Sequence, residues 1–180
     1  MQDVVAPVGR ASVAYDRRTI LLHWLTAGLV VALWGIAQII DVFPNGPLRV
    51  DARSVHITLG VALIVVLITR IAWRAGRGRR LEPAESGILG LAAILVHYLL
   101  YGLLIAELCL GLANVWVRGD SLFNLVTVPA FDPTDKALRS TIGELHGTIA
   151  TVILIVAGLH AAAALFHHYV LRDGVLRRML

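Results

Sequence analysis

The sequence predicts an all-α membrane protein in which one domain, residues 1–180, forms a bundle of four transmembrane helices. Hydrophobic residues make up 58% of the chain and charged residues 16%, whereas soluble domains average about 45–50% and about 25%. Four apolar stretches are each long enough to cross a bilayer, which takes about 20 residues. Arginine and lysine are concentrated on one side of these stretches, as expected for a protein inserted with a fixed orientation.

The first two apolar stretches, at about 19–40 and 55–73, are separated by a segment rich in proline and glycine. The first stretch is too long for the core of a signal peptide, so we expect it to be retained as a helix. The second ends in a basic run, Arg74–Arg80. We interpret this run as an anchor at the cytoplasmic membrane surface rather than as a nucleic-acid-binding patch.

The third and fourth stretches, at about 88–117 and 142–171, exceed the minimum length for a span. We therefore expect them to tilt or to protrude from the bilayer. The loop predicted between them runs from Arg118 to Thr141. Loops of this length in compact proteins are commonly functional, so it is a candidate lid over a site.

The distribution of basic residues predicts that both termini are cytoplasmic. Eleven basic residues lie on the side that carries both termini, including Arg70, which we expect to reach towards the interface. The eleven are Arg10, Arg17, Arg18, Arg70, Arg74, Arg77, Arg79, Arg80, Arg172, Arg177 and Arg178. The five on the opposite side are Arg49, Arg53, Arg118, Lys136 and Arg139. The pI of about 9.8 therefore reflects orientation, and we predict no nucleic-acid partner.

Seven histidines lie in or beside the spans, where ionisable residues are costly and usually functional. They are His23, His56, His97, His146, His160, His167 and His168. A lone histidine in a membrane commonly forms a hydrogen bond to a neighbouring helix. Several histidines at matching depths instead indicate a metal or cofactor site.

Four of these histidines fall at two depths. His146 and His160 lie 14 residues apart, which is close to four helical turns and about 21 Å, so they share one face of the fourth helix. His56 is expected at the depth of His146, near the periplasm, and His23 at the depth of His160, near the cytoplasm. Bis-histidine ligation of haem iron needs imidazoles from separate helices. We therefore predict two haem b groups, with the axial ligand pairs His23/His160 and His56/His146.

Other metal sites fit the sequence less well. The single cysteine, Cys109, lies in an apolar run, and no CxxCH motif for covalent haem attachment is present. Structural zinc takes four tetrahedral ligands, usually at short local spacings. Two separated pairs of histidines therefore favour haem over zinc.

The remaining histidines have several candidate roles. His97 lies on the cytoplasmic half of the third helix, and His167 follows His160 by seven residues on the predicted same face. Either could replace a member of the cytoplasmic pair, contact a quinone or a haem propionate, or relay a proton. An ordinary interfacial position is the alternative for His167, and we expect one for His168.

Glu107 is the one acidic residue in the third span. A carboxyl at this depth should be protonated or paired. We expect it to form a hydrogen bond to a helix or to Asn114, with proton transfer as the alternative.

An ordered set of motifs runs along the chain from about Arg18 to Leu180. In sequence order they are His23-Trp24, His56-x-x-x-Gly60, Arg70-x-x-x-Arg74, His97-x-x-x-Tyr101, Gly111, His146 and the stretch Gly158–Tyr169. In these motifs the chain resembles the bacterial cytochrome b561 family, the four-helix di-haem b proteins of the inner membrane.

This resemblance implies haem at the same two histidine pairs and electron exchange with ubiquinone. Some family members look like superoxide oxidases, which pass electrons from periplasmic superoxide to quinone. The five periplasmic cations could attract superoxide, although Asp51, Asp120, Asp132 and Asp135 dilute their charge. The resemblance leaves the catalytic residues undefined.

Two other functions stay open. The chain could be the membrane-anchor cytochrome b subunit of a periplasmic dehydrogenase or hydrogenase, with that enzyme as its electron donor. It could also be a metal-ion carrier, although no proline interrupts the predicted spans. The sequence does not indicate an oligomeric state.

Overall fold

The computed structural model describes residues 14–82 and 87–180, and most of them lie in four long helices. Helix α1 spans Arg17–Ile40, α2 spans Pro47–Gly76, α3 spans Gly87–Arg118 and α4 spans Lys136–Phe166. A π-helical turn, His167–Leu171, and a 3-10 turn, Leu176–Met179, follow α4. Each of the four helices is long and apolar enough to cross a membrane. The predicted all-α, four-helix architecture is confirmed.

The helix starts are set by residues that suit a helix N-terminus. The Asp16 carboxylate accepts a hydrogen bond from the Thr19 N–H at 3.0 Å, and the Asp135 carboxylate accepts one from the Leu138 N–H at 2.8 Å. Such caps satisfy backbone donors that have no partner within the helix. Helix α2 begins instead with Pro47, whose fixed φ suits the first helical position.

Two helices begin before the spans predicted from hydropathy. Helix α2 begins at Pro47 rather than near residue 55, and α4 begins at Lys136 rather than near residue 142. Hydropathy locates the apolar part of a helix, whereas charged turns such as Arg49–Arg53 continue the helix beyond that part. The loop between α3 and α4 is therefore residues 119–135, shorter than predicted.

This loop is anchored on α2 by a short hairpin. Strand β1 (Ser121–Leu122) pairs antiparallel with β2 (Val126–Thr127). The fully buried Ser54 hydroxyl donates to the Val50 carbonyl at 2.7 Å and accepts from the Phe123 N–H at 2.8 Å. We call this end of the bundle, with segments 41–46 and 119–135, the loop side. The opposite end is the terminal side.

The bundle consists of two helix pairs. Helix α1 packs along α2 and α3 packs along α4, while α2 and α3 make only light contact. An apolar layer closes the middle of the bundle, formed by the buried side chains Leu67, Leu104 and Ile153 with Val30 packed against them. The ends of the bundle on either side of this layer contain the histidines.

The outside of the bundle is apolar, as contact with lipid requires. Ile88 is 86% exposed, Leu159 67% and Val31 63%, all on helix surfaces. Soluble monomers rarely expose apolar patches of more than a few hundred Å². The exposed apolar side chains therefore agree with the prediction that the helices face lipid.

The terminal side is held together by polar contacts. The Asp16 carboxylate accepts from the Trp73 indole at 2.9 Å and from the Arg79 N–H at 3.0 Å. The Trp24 indole donates to the Met179 carbonyl at 2.7 Å, which fixes the C-terminal turn on α1. That both termini are cytoplasmic stays a prediction from the positive-inside rule, and Arg10, counted there, lies outside the described residues.

Candidate functional site

On the loop side, His56 of α2 and His146 of α4 face each other across the two helix pairs. Their ring centroids are 6.3 Å apart and their planes are inclined by 84°. His56 Nδ1 lies 3.1 Å from the Leu33 carbonyl oxygen, so this nitrogen carries the ring proton and donates. The lone pair of the neutral ring is then on Nε2, the nitrogen that remains for a metal.

On the terminal side, four helices contribute to a second cluster. His23 of α1 and His160 of α4 have ring centroids 6.3 Å apart, and the α3 residue His97 lies 5.0 Å from His160. Arg70 Nη2 of α2 lies 3.0 Å from His23 Nδ1, and its guanidinium lies 5.2 Å from the Tyr101 ring centroid. We predicted that Arg70 reaches towards the membrane interface. It instead points into the bundle, because an imidazole nitrogen and an aromatic face are within its reach there.

Both histidine pairs have the spacing of an ion held between two imidazoles. A metal bound at about 2.0–2.1 Å by a nitrogen of each ring separates the two ring centroids by roughly 6 Å. The pairs His56/His146 and His23/His160 both measure 6.3 Å. The 5.0 Å between His97 and His160 is too short for two rings that bind one iron from opposite sides.

Two glycines leave open space beside the loop-side pair. Gly60 and Gly147 line the same cavity as His56 and His146, and a Cβ atom added at either glycine would meet nothing within 4 Å. A flat macrocycle between helices requires such space. Gly111 differs, because a Cβ there would lie 3.3 Å from His146 Cε1. Gly111 therefore lets α3 approach the His146 ring closely.

A cavity of about 380 Å³ opens beside the loop-side pair. Its walls include His56 and His146, and Arg53 and Arg118 line it as well. Ligand pockets generally measure about 300–1,000 Å³. A second cavity of about 400 Å³ shares these two arginines and adds Arg49. This outer cavity is basic, and it adjoins the cavity of the histidines through Arg53 and Arg118.

The charges around the two cavities are only partly balanced. Arg53 Nη1 lies 3.2 Å and Arg118 Nε lies 3.5 Å from Oδ1 of the buried Asp120. Arg49 pairs with Asp41. The inner cavity is also lined by Asp41, Glu107 and Asp120. The lining of the outer cavity contains three guanidinium groups and no carboxylate of the described residues, so it is the outer cavity that attracts small anions.

Glu107 contacts His146, which we did not predict. Glu107 Oε1 lies 3.1 Å from His146 Nδ1. The two atoms are within ion-pair distance but are not aligned as a hydrogen bond, and His146 Nδ1 has no hydrogen-bond partner within the described part of the chain. The expected bond to Asn114 is not formed, since Asn114 Oδ1 also lacks a partner there. The four-residue spacing of Glu107 and Gly111 is the signal that places both beside one ring.

His167 and His168 lie apart from the two pairs. His167 Nδ1 contacts the Asp173 carboxylate, and the His168 ring stacks edge-on with Tyr169 at 4.8 Å. Hydrogen bonds from His167 and the Val175 N–H lower the pKa of Asp173. We predicted that His167 shares a helix face with His160. Helix α4 ends at Phe166, and the π-helical turn that follows changes the number of residues per turn, so this α-helical spacing does not apply to His167. A quinone or propionate role for His167 stays a prediction.

The arrangement of these donors suits haem better than a bare metal ion. Among residues 14–82 and 87–180, no three His, Cys, Asp or Glu side chains are grouped to hold one metal. Two axial imidazoles are enough for haem iron, because the porphyrin supplies the other four ligands. The histidine pairs at both levels therefore fit a haem in spacing and donor type, and the loop-side pair also borders a cavity.

The chain has relatives among known proteins. Residues 14–180 match the family model for prokaryotic cytochrome b561. The chain is 32% identical to the probable superoxide oxidase CybB of Yersinia pestis, over 92% of this chain and 95% of that one. It is 29% identical to cytochrome b561 homolog 1 of Escherichia coli K12, over 92% and 96% of the two chains. It is 26% identical to cytochrome b562 of Cereibacter sphaeroides, over 92% and 94%.

Members of this family bind haem b, and the four spans agree with a place in the inner membrane. An electron-transfer role, with lipid and redox partners, follows for the chain. Its resemblance to this family, inferred above from motifs, is confirmed. The chain belongs to the prokaryotic cytochrome b561 family and is a multi-pass inner-membrane oxidoreductase of the b-type cytochromes.

Proposed function

We propose that the protein is a superoxide oxidase that passes electrons from superoxide on the loop side, through two haem b groups, to ubiquinone. The observation that carries this proposal is the matching 6.3 Å spacing of two histidine pairs at two heights. The pairs His56/His146 and His23/His160 are the proposed axial ligands. When bound, each haem supplies an iron that accepts and releases one electron at a time.

The protein residues orient the proposed ligands. The Leu33 carbonyl holds His56 by its Nδ1–H, and Gly111 admits α3 to the His146 ring. Metal-ligating histidines usually have such a partner on the second nitrogen, which fixes the tautomer and the ring orientation. The apolar layer around Ile153 lies between the two levels.

Superoxide as the donor is supported by charge and by a relative. Arg53 and Arg118 line both the outer cavity and the cavity that contains His56 and His146. A small anion is therefore drawn along a surface that ends at the proposed loop-side haem. The Yersinia pestis relative is named a probable superoxide oxidase.

The proposed reaction balances with two superoxide ions for each quinone. Two superoxide ions each lose one electron and leave as dioxygen. Ubiquinone takes up these two electrons and two protons from water to give ubiquinol. His97 is the proposed quinone contact, since it is exposed on α3 and its Nδ1 donates to the Ala93 carbonyl at 2.6 Å. Its Nε2 is then open to a quinone head group beside His160.

The test uses the haem-loaded protein purified in detergent with a soluble ubiquinone analogue. A superoxide-generating system should produce quinol, and superoxide dismutase should abolish that production. The Arg118→Gln variant should slow the reaction and weaken its dependence on salt, because one attracting charge is lost. A protein with both haems that reduces no quinone with superoxide would reject this donor and leave a partner dehydrogenase in its place.

A further inference from the structure

The two histidine pairs have neighbours of opposite charge. On the loop side, Glu107 Oε1 lies 3.1 Å from Nδ1 of His146. On the terminal side, Arg70 Nη2 lies 3.0 Å from Nδ1 of His23. In each pair one imidazole thus has a charged group at the nitrogen that would face away from the iron. The loop-side pair thus has an acidic neighbour and the terminal-side pair a basic one.

Both charged groups lie inside the bundle and contact these histidines. The Glu107 side chain is 15% exposed, and its Oε2 is buried with no partner among the described residues. Arg70 Nε is likewise buried without a partner in that part of the chain, so the guanidinium acts through Nη2 and its face over Tyr101. Charges in such a setting are screened less than charges at the surface.

The sign of each charge decides its effect on an iron bound to the same ring. A carboxylate beside Nδ1 makes the imidazole a more basic ligand, which stabilises the more positive ferric state. A guanidinium places its positive charge beside the ring, which stabilises the less positive ferrous state. The first effect lowers the reduction potential and the second raises it.

We propose that Glu107 and Arg70 are positioning residues that give the loop-side haem a lower reduction potential than the terminal-side haem. This inference rests on the ligand pairs of the proposed function and adds a difference in reduction potential that favours the proposed direction of electron flow. One electron that moves from the loop side to the terminal side converts the first iron from Fe²⁺ to Fe³⁺ and the second from Fe³⁺ to Fe²⁺. The step needs no proton and no further reactant.

The test is a spectroelectrochemical titration of proteins that hold one haem each. His23→Ala should leave only the loop-side haem, and His56→Ala only the terminal-side haem. In the His23→Ala protein, Glu107→Gln should favour the reduced form by about tenfold, which raises the midpoint potential by about 59 mV for one electron. In the His56→Ala protein, Arg70→Gln should lower the midpoint potential by a similar amount.

Matched variants separate charge from general disturbance. Glu144 lies two residues before His146, and its exposed carboxylate accepts a hydrogen bond from the Ser140 hydroxyl. Glu144→Gln removes this charge and should leave the midpoint unchanged. Arg70→Lys retains the charge and should restore most of the shift. If Glu107→Gln loses haem, Glu107→Asp, which withdraws the carboxylate, should still raise the midpoint.

Two results would overturn the inference while leaving the ligand pairs intact. One is a loop-side midpoint that equals or exceeds the terminal-side midpoint in the protein with native Glu107 and Arg70. The other is an unchanged midpoint in haem-loaded Glu107 and Arg70 variants. A different failure, in which His23→Ala and His56→Ala do not each leave one haem, would instead reject the proposed ligation.

Discussion

The imidazole rings of His56 and His146 lie 6.3 Å apart, and those of His23 and His160 have the same separation at the other end of α4. Ile153, seven residues from each α4 histidine, is buried in the apolar layer between the two pairs. The two α4 histidines are about 21 Å apart along the helix axis. The bundle thus repeats one histidine arrangement at two heights and separates the copies with an apolar layer.

Single replacements of the paired histidines should each remove one haem. We expect His56→Ala or His146→Ala to halve the haem content and to spare the other haem, because each height is completed by its own two rings. Absorbance of the reduced pyridine complex per protein measures this content. His168→Ala, whose ring stacks on Tyr169 away from both pairs, should keep both haems. Loss of both haems or of neither in the His56 and His146 variants would contradict the pairing.

His97→Ala should also keep both haems. Its ring lies 5.0 Å from His160, which is too close to share an iron with that ring, whereas His23 is at the required distance. The change should instead weaken quinone use, seen as a higher KM for the ubiquinone analogue. A variant that holds a single haem would show that His97, and not His23, is the partner of His160.

Gly111→Ala should disturb the loop-side haem. A Cβ at this position would lie 3.3 Å from His146 Cε1, so the ring must move. We expect weaker haem retention at this level, by roughly tenfold, as for changes beside a metal ligand. Dilution in detergent followed by the absorbance of retained haem measures it.

Gly102→Ala is the matched control for this change. Gly102 lies on the same helix, is exposed, and would place its Cβ where nothing lies within 4 Å. Both changes gain about 1 kcal/mol in helix propensity, so any difference between them reflects contact with the His146 ring. Equal haem retention in the two variants would contradict this role of Gly111.

Asp16 should stabilise the terminal side. Its partial burial alone would raise its pKa, but hydrogen bonds from Thr19, Arg79 and Trp73 outweigh this effect and hold the pKa well below 3.8. Asp16→Ala removes the cap of α1 and should lower the unfolding free energy by about 1–2 kcal/mol. Thermal unfolding in detergent measures the change, with the exposed Asp51→Ala as control.

The contribution of Asp16 has a defined pH dependence. Its pKa is lower in the folded protein, so the stabilisation is complete above the ordinary aspartate value of 3.8 and is lost as the pH falls below it. The difference in unfolding temperature between the native protein and Asp16→Ala should therefore be constant from pH 7 to 5 and shrink in stronger acid. A difference that grows on acidification would contradict the hydrogen-bond network.

The sequence was sufficient to predict the spans and the two histidine heights. Helical periodicity places His146 and His160 on one face, and the alternating direction of the helices brings His56 and His23 to their depths. These inferences need only helix geometry and direction. The family comparison agrees with the fold they imply.

The contacts of Glu107 and Arg70 were not predicted because they depend on how α3 and α2 are rotated. Helix α3 is apolar on nearly every face, so no polar stripe indicates which side meets α4. The inward turn of Arg70 likewise depends on Tyr101 and His23 of two other helices. Helices α2 and α4 begin before the predicted spans for a related reason. Their first turns are polar, so they lie outside the apolar pattern although they belong to the helix.

The most direct test of the account is the haem content and spin state of the purified protein. We predict two haem b per chain, both low-spin by electron paramagnetic resonance in the oxidised state, since each iron would have two imidazole ligands. A protein that binds one haem, or whose irons are high-spin, would contradict two bis-histidine sites.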